Sequence, residues 1–326
     1  VTHVPSRLSR YALSALLGTT LLGFVGCHKE KSSEPESSRN AETNPAAPGL
    51  SKQNLRSVWG TGPSDLWAVG DNGTILHFDG RAWSPSPSGT SENLTSVYGT
   101  GPKDVWAGGE KGTIFRWDGA AWSKVSEGAD TTVFSMWASG PADVWAVGMD
   151  TGGESGYLRR WNGTKWESQD VPGSSSLWAV GGSSAHDVWM VGNNPQGAGL
   201  VLHGDGSHFD LIGYKGPPAR GVWAARPDDV WVAPYEGDMQ HWNGSAWTTA
   251  PAPGGPILRL AGSGPDDIWA VGLGGVALHY HAGAWAKSPT GTTEIIWSIW
   301  GRAPEDVWAV GNGGTVLRWN GSAWTR

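Results

Sequence analysis

Gly62-Pro63-Ser64-Asp65-Leu66-Trp67-Ala68-Val69-Gly70 decides the architecture, because close copies of it return six more times along the chain. Their aspartates are Asp65, Asp104, Asp143, Asp187, Asp229, Asp267 and Asp306, spaced 39, 39, 44, 42, 38 and 39 residues apart. Each is followed two residues later by tryptophan: Trp67, Trp106, Trp145, Trp189, Trp231, Trp269 and Trp308. Self-similarity at such a period marks a repeat protein, whose units bury their apolar faces only against one another.

Outward from this stretch, one unit begins Leu55-Arg56-Ser57-Val58-Trp59-Gly60 and turns at Thr61 to Ser64. After Gly70, a short link Asp71-Asn72-Gly73 leads to Thr74-Ile75-Leu76-His77-Phe78, the turn Asp79-Gly80, and Ala82-Trp83-Ser84. These are four strand-length segments separated by Gly, Pro, Asn and Asp turns. Leu66-Trp67-Ala68-Val69 is apolar on both faces, as a sheet sandwiched between two others requires. Four short strands in about 40 residues is the period of a propeller blade. The expected fold is therefore an all-β, seven-bladed β-propeller of four-stranded antiparallel blades over 55–326. A β-helix has much shorter coils, and a sandwich has no such period. The chain ends at Trp324-Thr325-Arg326, just inside the seventh fourth segment. Ring closure rests either on side-chain packing between blades one and seven or on a strand phase that the sequence does not display.

Composition agrees. The 326 residues include 50 glycines and 23 tryptophans, with no Gly-X-Y period to suggest collagen. A formal charge of −7 and no long basic run argue against nucleic acid as a partner. The single cysteine, Cys27, excludes an intrachain disulfide or a thiolate metal cluster.

Residues 1–27 read as an export signal, with Arg7 and Arg10 before the apolar run Tyr11 to Val25. Its end, Leu21-Leu22-Gly23-Phe24-Val25-Gly26-Cys27, resembles a bacterial lipoprotein signal, which implies lipidation of Cys27 and attachment to a membrane surface. No later segment is apolar enough to span a bilayer. Residues 28–54, rich in Ser, Glu, Asn, Pro and Ala, are expected to be a disordered tether. The expected location is an exported, membrane-anchored protein, with the outer membrane as destination.

Most conspicuous residues repeat, and repetition argues for structure. Twenty-two of the 23 tryptophans are assigned to four slots. Trp59, Trp137, Trp178, Trp223 and Trp300 occupy the first, with Tyr98 and Leu260 substituting. The Trp two residues after each Asp takes the second, Trp117, Trp161, Trp242 and Trp319 the third, and Trp83, Trp122, Trp166, Trp247, Trp285 and Trp324 the fourth. Blade-to-blade packing is the expected role. The aspartates are expected to bond backbone N–H groups of their own turns. A base precedes the third slot in every unit: His77, Arg116, Arg160, His203, His241, His279 and Arg318. These are expected to stack on indoles or pair with aspartates. Asn-Gly at Asn72, Asn162, Asn243 and Asn320 reads as turn chemistry rather than glycosylation.

Function belongs where the repeat breaks. The first–second and third–fourth turns are nearly constant, whereas the second–third and fourth–first loops vary, so one face of the disc is monotonous and the other individual. The second–third loop is minimal in blades one and seven and extended in blade three (149–156) and blade four (193–199). Three off-pattern tyrosines, Tyr157, Tyr214 and Tyr235, belong to blades three to five, and the off-pattern Trp297 is placed in the loop between blades six and seven. These features nominate a ligand-binding crescent of Tyr157, Tyr214, Lys215, Arg220, Tyr235 and Glu236. The alternative is that they only pin loops down.

The repeated Trp-Ala-Val-Gly, Gly-Thr-Ile/Val and Gly-X-X-Trp resemble bacterial BNR-like and WD- or YVTN-type propellers, among them sialidase-type repeats and the propeller assembly factors of photosystem II. The Asp-box form Ser-X-Asp-X-Gly-X-Thr-Trp is absent, no arginine triad can be nominated, and no paired-His metal signature, nucleophile elbow or Walker loop is present. The expected function is a non-catalytic interaction or scaffold module of the cell envelope, monomeric and without cofactor, engaging a protein or a glycan. A surface lectin and a sialidase-like or lyase-type glycan-processing enzyme are the alternatives.

Overall fold

The computed structural model describes residues 52–326 apart from 128, 129, 153, 154 and 172. Cys27, the export signal and the tether up to residue 51 lie outside the described residues. From residue 55 onward the chain forms seven four-stranded antiparallel sheets, each built from four consecutive strands in sequence order. It is a seven-bladed β-propeller. In the first blade the strands are Leu55–Gly62, Asp65–Gly70, Ile75–Phe78 and Trp83–Pro85. Trp59 faces Trp67, which faces His77, and Phe78 faces Trp83, so indoles and their partners line up across the sheet. Between the second and third strands a single tight turn suffices, with Asn72 and Gly73 at φ 54° and 67°. Gly73 is required there, since a Cβ would sit 1.9 Å from the Thr90 carbonyl oxygen.

The second strand of each blade is buried on both faces because its indole packs into the next blade. Trp67 meets Trp117 and Trp122 at 5.0 and 5.2 Å. Trp106 meets Trp161 and Trp166, Trp189 meets Trp242 and Trp247, and Trp269 meets Trp319 and Trp324 in the same tilted and edge-on pair. Blade four has no tryptophan in its third and fourth slots, and there Phe209 receives Trp145. Each of these buried indoles contributes on the order of 4 kcal/mol through area removed from water, before its share of the chain entropy.

The ring closes by the same contact. Trp308 of blade seven packs on Phe78 at 5.1 Å and Trp83 at 6.0 Å in blade one. Backbone bonds to side chains reinforce the seam: Val58 N–H donates to Ser298 Oγ (3.3 Å), Arg302 to the Thr61 carbonyl (2.7 Å), and Gly313 N–H to Asn54 Oδ1 (3.0 Å). Among the described residues no strand is shared between blades one and seven, and side-chain packing with these hydrogen bonds closes the ring. The first strands line a central channel of about 320 Å³. Serines at one position stitch them together, Ser57, Ser96 and Ser135 each accepting from a backbone N–H of the next blade.

The repeated aspartates and bases form one network. Each Asp takes the base of its own blade: His77 at 2.7 Å, Arg116 at 2.8, Arg160 at 2.6, His203 at 2.8, His241 at 2.8, His279 at 2.7 and Arg318 at 3.3 Å. Each base also lies on the second-slot indole, at 4.0 Å for His203 on Trp189 and 5.2 Å for Arg318 over Trp308. The seven bases are therefore held inside the blades rather than ringing a ligand. The aspartates differ from expectation in their other partner. They accept chiefly from a hydroxyl four residues earlier, from Thr61, Thr100, Ser139, Ser183 and Ser263, rather than from their own turn's N–H groups.

Every first strand carries two β-bulges, one near each end. In blade one, Leu55 pairs with Gly70 and Ser57 with Val69, leaving Arg56 as an extra residue. Thr61 is likewise extra between Gly60 and Gly62. The register corrects three readings. In blade four the residue opposite Trp189 is Gly181, so Trp178 is not in the first tryptophan slot but in the bulge. In blade six Ala261, not Leu260, faces Trp269. Trp297 lies within the strand Ile296–Ala303, again in the bulge, and not in a loop.

Candidate functional site at the channel mouth

A β-bulge re-aims one side chain out of the alternation of its strand. At the end nearer the second–third turns, the bulged residues of blades one to seven are Arg56, Thr95, Phe134, Trp178, Arg220, Leu258 and Trp297. All seven, with Arg259, line one cavity of about 260 Å³. Sevenfold backbone geometry thus delivers seven side chains of five different types to one mouth of the channel.

The mouth is built in two aromatic–guanidinium stacks. Phe134 and Trp178 are stacked at 4.5 Å and 12°, and the Arg220 guanidinium lies 3.5 Å from the Trp178 ring centre and 5.3 Å from Tyr235. On the other side Arg56 covers Trp297 at 4.5 Å. The second–third turns lock both indoles: Trp178 Nε1 donates to Asn193 (2.8 Å) and Trp297 Nε1 to Asn312 (2.7 Å). Arg56 is neutralised by Asp71 at 2.8 Å. Burial pushes the Asp71 carboxyl up, but hydrogen bonds from Arg56 and Asn54 outweigh it and leave it below the usual carboxylate range.

Arg259 occupies the position that holds serine in four other blades and reaches across the channel. Its guanidinium donates to the carbonyls of Phe134 (2.6 Å), Trp178 (2.9 Å) and Arg220 (3.4 Å). Burial, and then the charge of Arg220, hold it down to about 10, still cationic at neutral pH. Arg220 is also depressed by burial, and its Nε is buried with no hydrogen-bond partner among the described residues. Neither guanidinium has a carboxylate within ion-pair distance among the described residues.

Of the six residues nominated from sequence, the structure brings Arg220 and Tyr235 together at this mouth. Only Arg220 of the six lines the cavity, with Tyr235 behind its guanidinium, and the other four lie elsewhere. Tyr157 is packed against the core between blades two and three, with its phenol pushed up by burial. Tyr214 rests edge-on against Trp247 at 5.6 Å, donates to the Pro217 carbonyl (2.9 Å), and is also raised by burial. It borders a separate surface cavity beside Asn194 and Leu211. Lys215 and Glu236 are exposed. Sequence reasoning missed Arg56, Phe134, Trp178 and Arg259. Alignment of Val180-Gly181-Gly182 on Val58-Trp59-Gly60 would have exposed Trp178 as off-pattern.

Among the described residues there is no group of three or more His, Cys, Asp or Glu that could hold a metal ion. No protein-family model matches the chain, and no curated relative does either. Solved structures do. The chain is similar to YCF48 bound to D1 peptide, at 17% identity and a TM-score of 0.63, over 82% of this chain and 94% of that one. It is similar to the WD40 β-propeller domain of Doa1, at 13% identity and a TM-score of 0.68, over 82% and 92% of the two chains. A catalytically inactive virginiamycin B lyase from Staphylococcus aureus with quinupristin matches at 11% identity and a TM-score of 0.68, over 82% and 95%. Likeness at these identities concerns the propeller fold alone.

Proposed function

We propose that the protein is an exported, monomeric interaction module of the BNR- or YVTN-like type, anchored through lipid on Cys27, which engages a protein partner of the cell envelope at the individual mouth of its channel. The observation that carries this is the ring of seven side chains of five different types on seven equivalent bulges. The chemistry favours binding over catalysis. The lining supplies cations, aromatics, one leucine and one threonine, with no carboxylate or histidine to shuttle a proton. It favours protein over glycan, because both indoles that a sugar would stack on already carry a guanidinium. A peptide-bound propeller among the similar structures supports the reading by analogy.

A photo-crosslinking amino acid at Leu258, compared with one at Ser64 among the constant turns, tests it in intact envelopes. Specific protein adducts are expected from position 258 only. Equal labelling from both positions, or turnover of an envelope glycan by the purified chain, would refute the reading. Cys27→Ser is expected to move the protein from the membrane to the soluble fraction.

A further inference from the structure

Arg220 and Arg259 differ from the guanidiniums that the fold pairs with aspartates. Arg56, Arg116, Arg160 and Arg318 each meet an aspartate at 3.3 Å or less. Arg220 and Arg259 sit side by side with none, in a chain whose formal charge is −7. Two like charges at one mouth repel, and neither is neutralised by a carboxylate among the described residues. Arg259 spends three of its five N–H groups on carbonyls across the channel, which fixes its fork at the floor of the cavity. Arg220 lies flat on Trp178 with its Nε–H unanswered. That Nε–H is enclosed by protein, so the outer nitrogens of Arg220, which have no carboxylate partner among the described residues, are what an anion in the cavity would meet.

The walls restrict what carries that anion. Phe134, Trp178, Leu258 and Trp297 are apolar, so a bare inorganic oxyanion would leave most of the surface wetted. The cavity, at about 260 Å³, is smaller than the pockets of roughly 300–1,000 Å³ that enclose drug-sized molecules. It admits the tip of a ligand and not its length.

We infer that the mouth receives the C-terminal residue of a peptide segment, its carboxylate taken by Arg220 and Arg259 and its apolar side chain by Leu258 and the ring edges of Trp178 and Trp297, whose faces the guanidiniums cover. The inference rests on the interaction-module reading and specifies its ligand. A carboxylate offers acceptors in the plane of a guanidinium fork, the pairing that gives arginine its advantage over lysine. A chain end, unlike an internal Asp or Glu, presents its anion within two bonds of an apolar side chain's own Cα, which is the juxtaposition this cavity has.

The test uses the full chain in detergent and follows tryptophan fluorescence, since Trp178 and Trp297 line the cavity. Tetrapeptides ending in Phe, Leu or Val are compared as free acids, as C-terminal amides, and as amides with aspartate at the third position. Free acids of at least one ending are expected to bind at least tenfold tighter than both amide forms. Arg220→Gln is expected to abolish that preference with the melting temperature kept, and Arg220→Lys to restore part of it. Equal affinity for acid and amide, no binding of any free acid, or an internal aspartate as good as the chain end overturns the inference. So does an unchanged preference in Arg220→Gln. If Arg220→Gln fails to fold, the acid-over-amide ratio of the wild type and of Arg220→Lys decides. Mouth-specific crosslinking without any acid preference sinks this inference alone, whereas loss of that crosslinking removes the interaction-module reading as well.

Discussion

The two ends of each first strand share one backbone device and differ in what they do with it. At the end near the Gly-Pro-X-Asp turns, the bulged residue is a hydroxyl in five blades, aimed into the repeated aspartate. At the other end it is Arg, Thr, Phe, Trp, Arg, Leu and Trp in turn. The first set closes a network of hydroxyl, carboxylate and base within the blade, with the base lying on the indole. The second set opens onto the channel and leaves a cation unsatisfied. Identical geometry with identical chemistry is structure, and identical geometry with diverging chemistry is where recognition resides.

The comparison breaks first if the repeating end can be mutated freely. Trp189→Ala removes an indole with no exposed surface from between blades four and five, and is expected to cost about 4 kcal/mol. Trp297→Ala at the mouth should cost clearly less, since that ring is only partly buried. Urea unfolding of the two variants measures the ratio, and equal losses would erase the distinction.

Next in size is Asp187, which takes hydrogen bonds from His203, Ser183 and Trp189. Asp187→Ala is expected to cost about 3 kcal/mol, by leaving those buried donors without an acceptor. Burial pushes this carboxyl up, but the three hydrogen bonds outweigh it, so the folded value lies below the unfolded one. The sign follows: its contribution is complete above the unfolded value of about 3.9 and drains away as pH falls through the folded value. The gap in melting temperature between wild type and Asp187→Asn should therefore narrow as pH falls below about 4. Asp267, shifted in the same direction by burial offset by His279 and Ser263, should behave alike.

Smaller effects sharpen the contrast at the mouth. Arg259→Met frees three carbonyls that channel water can reach, so a loss of about 1–2 kcal/mol is expected in thermal unfolding. Arg220→Gln should change stability by less than about 1 kcal/mol, because the lost stack on Trp178 is offset by removal of a buried charge that has no carboxylate partner among the described residues. A large destabilisation by Arg220→Gln would mean that the mouth is built for packing, as the Asp side is.

The blades, their number and the packing role of the tryptophans were legible because each follows from a period of about 40 residues in one dimension. The pairing of bases with aspartates was legible too, since both are local to a blade, at separations of 12 to 17 residues. The crescent was read less well. Arg220 and Tyr235 came together, but Tyr157 and Tyr214 stood out only as breaks in a pattern, and each serves its own loop or core.

The chain's repeat thus determined, by itself, the fold and the residues that hold it, since burial of a repeated indole is dictated by the repeat. The mouth was decided by tertiary structure alone. A bulge shifts one residue by one position, which moved Trp178 out of a slot and Trp297 into a strand, and strand register is invisible until both partners are paired. The reach of Arg259 to Phe134 spans 125 residues. Only the closed ring brings those two blades to one channel, and with them the two unpaired cations that give the site its chemistry.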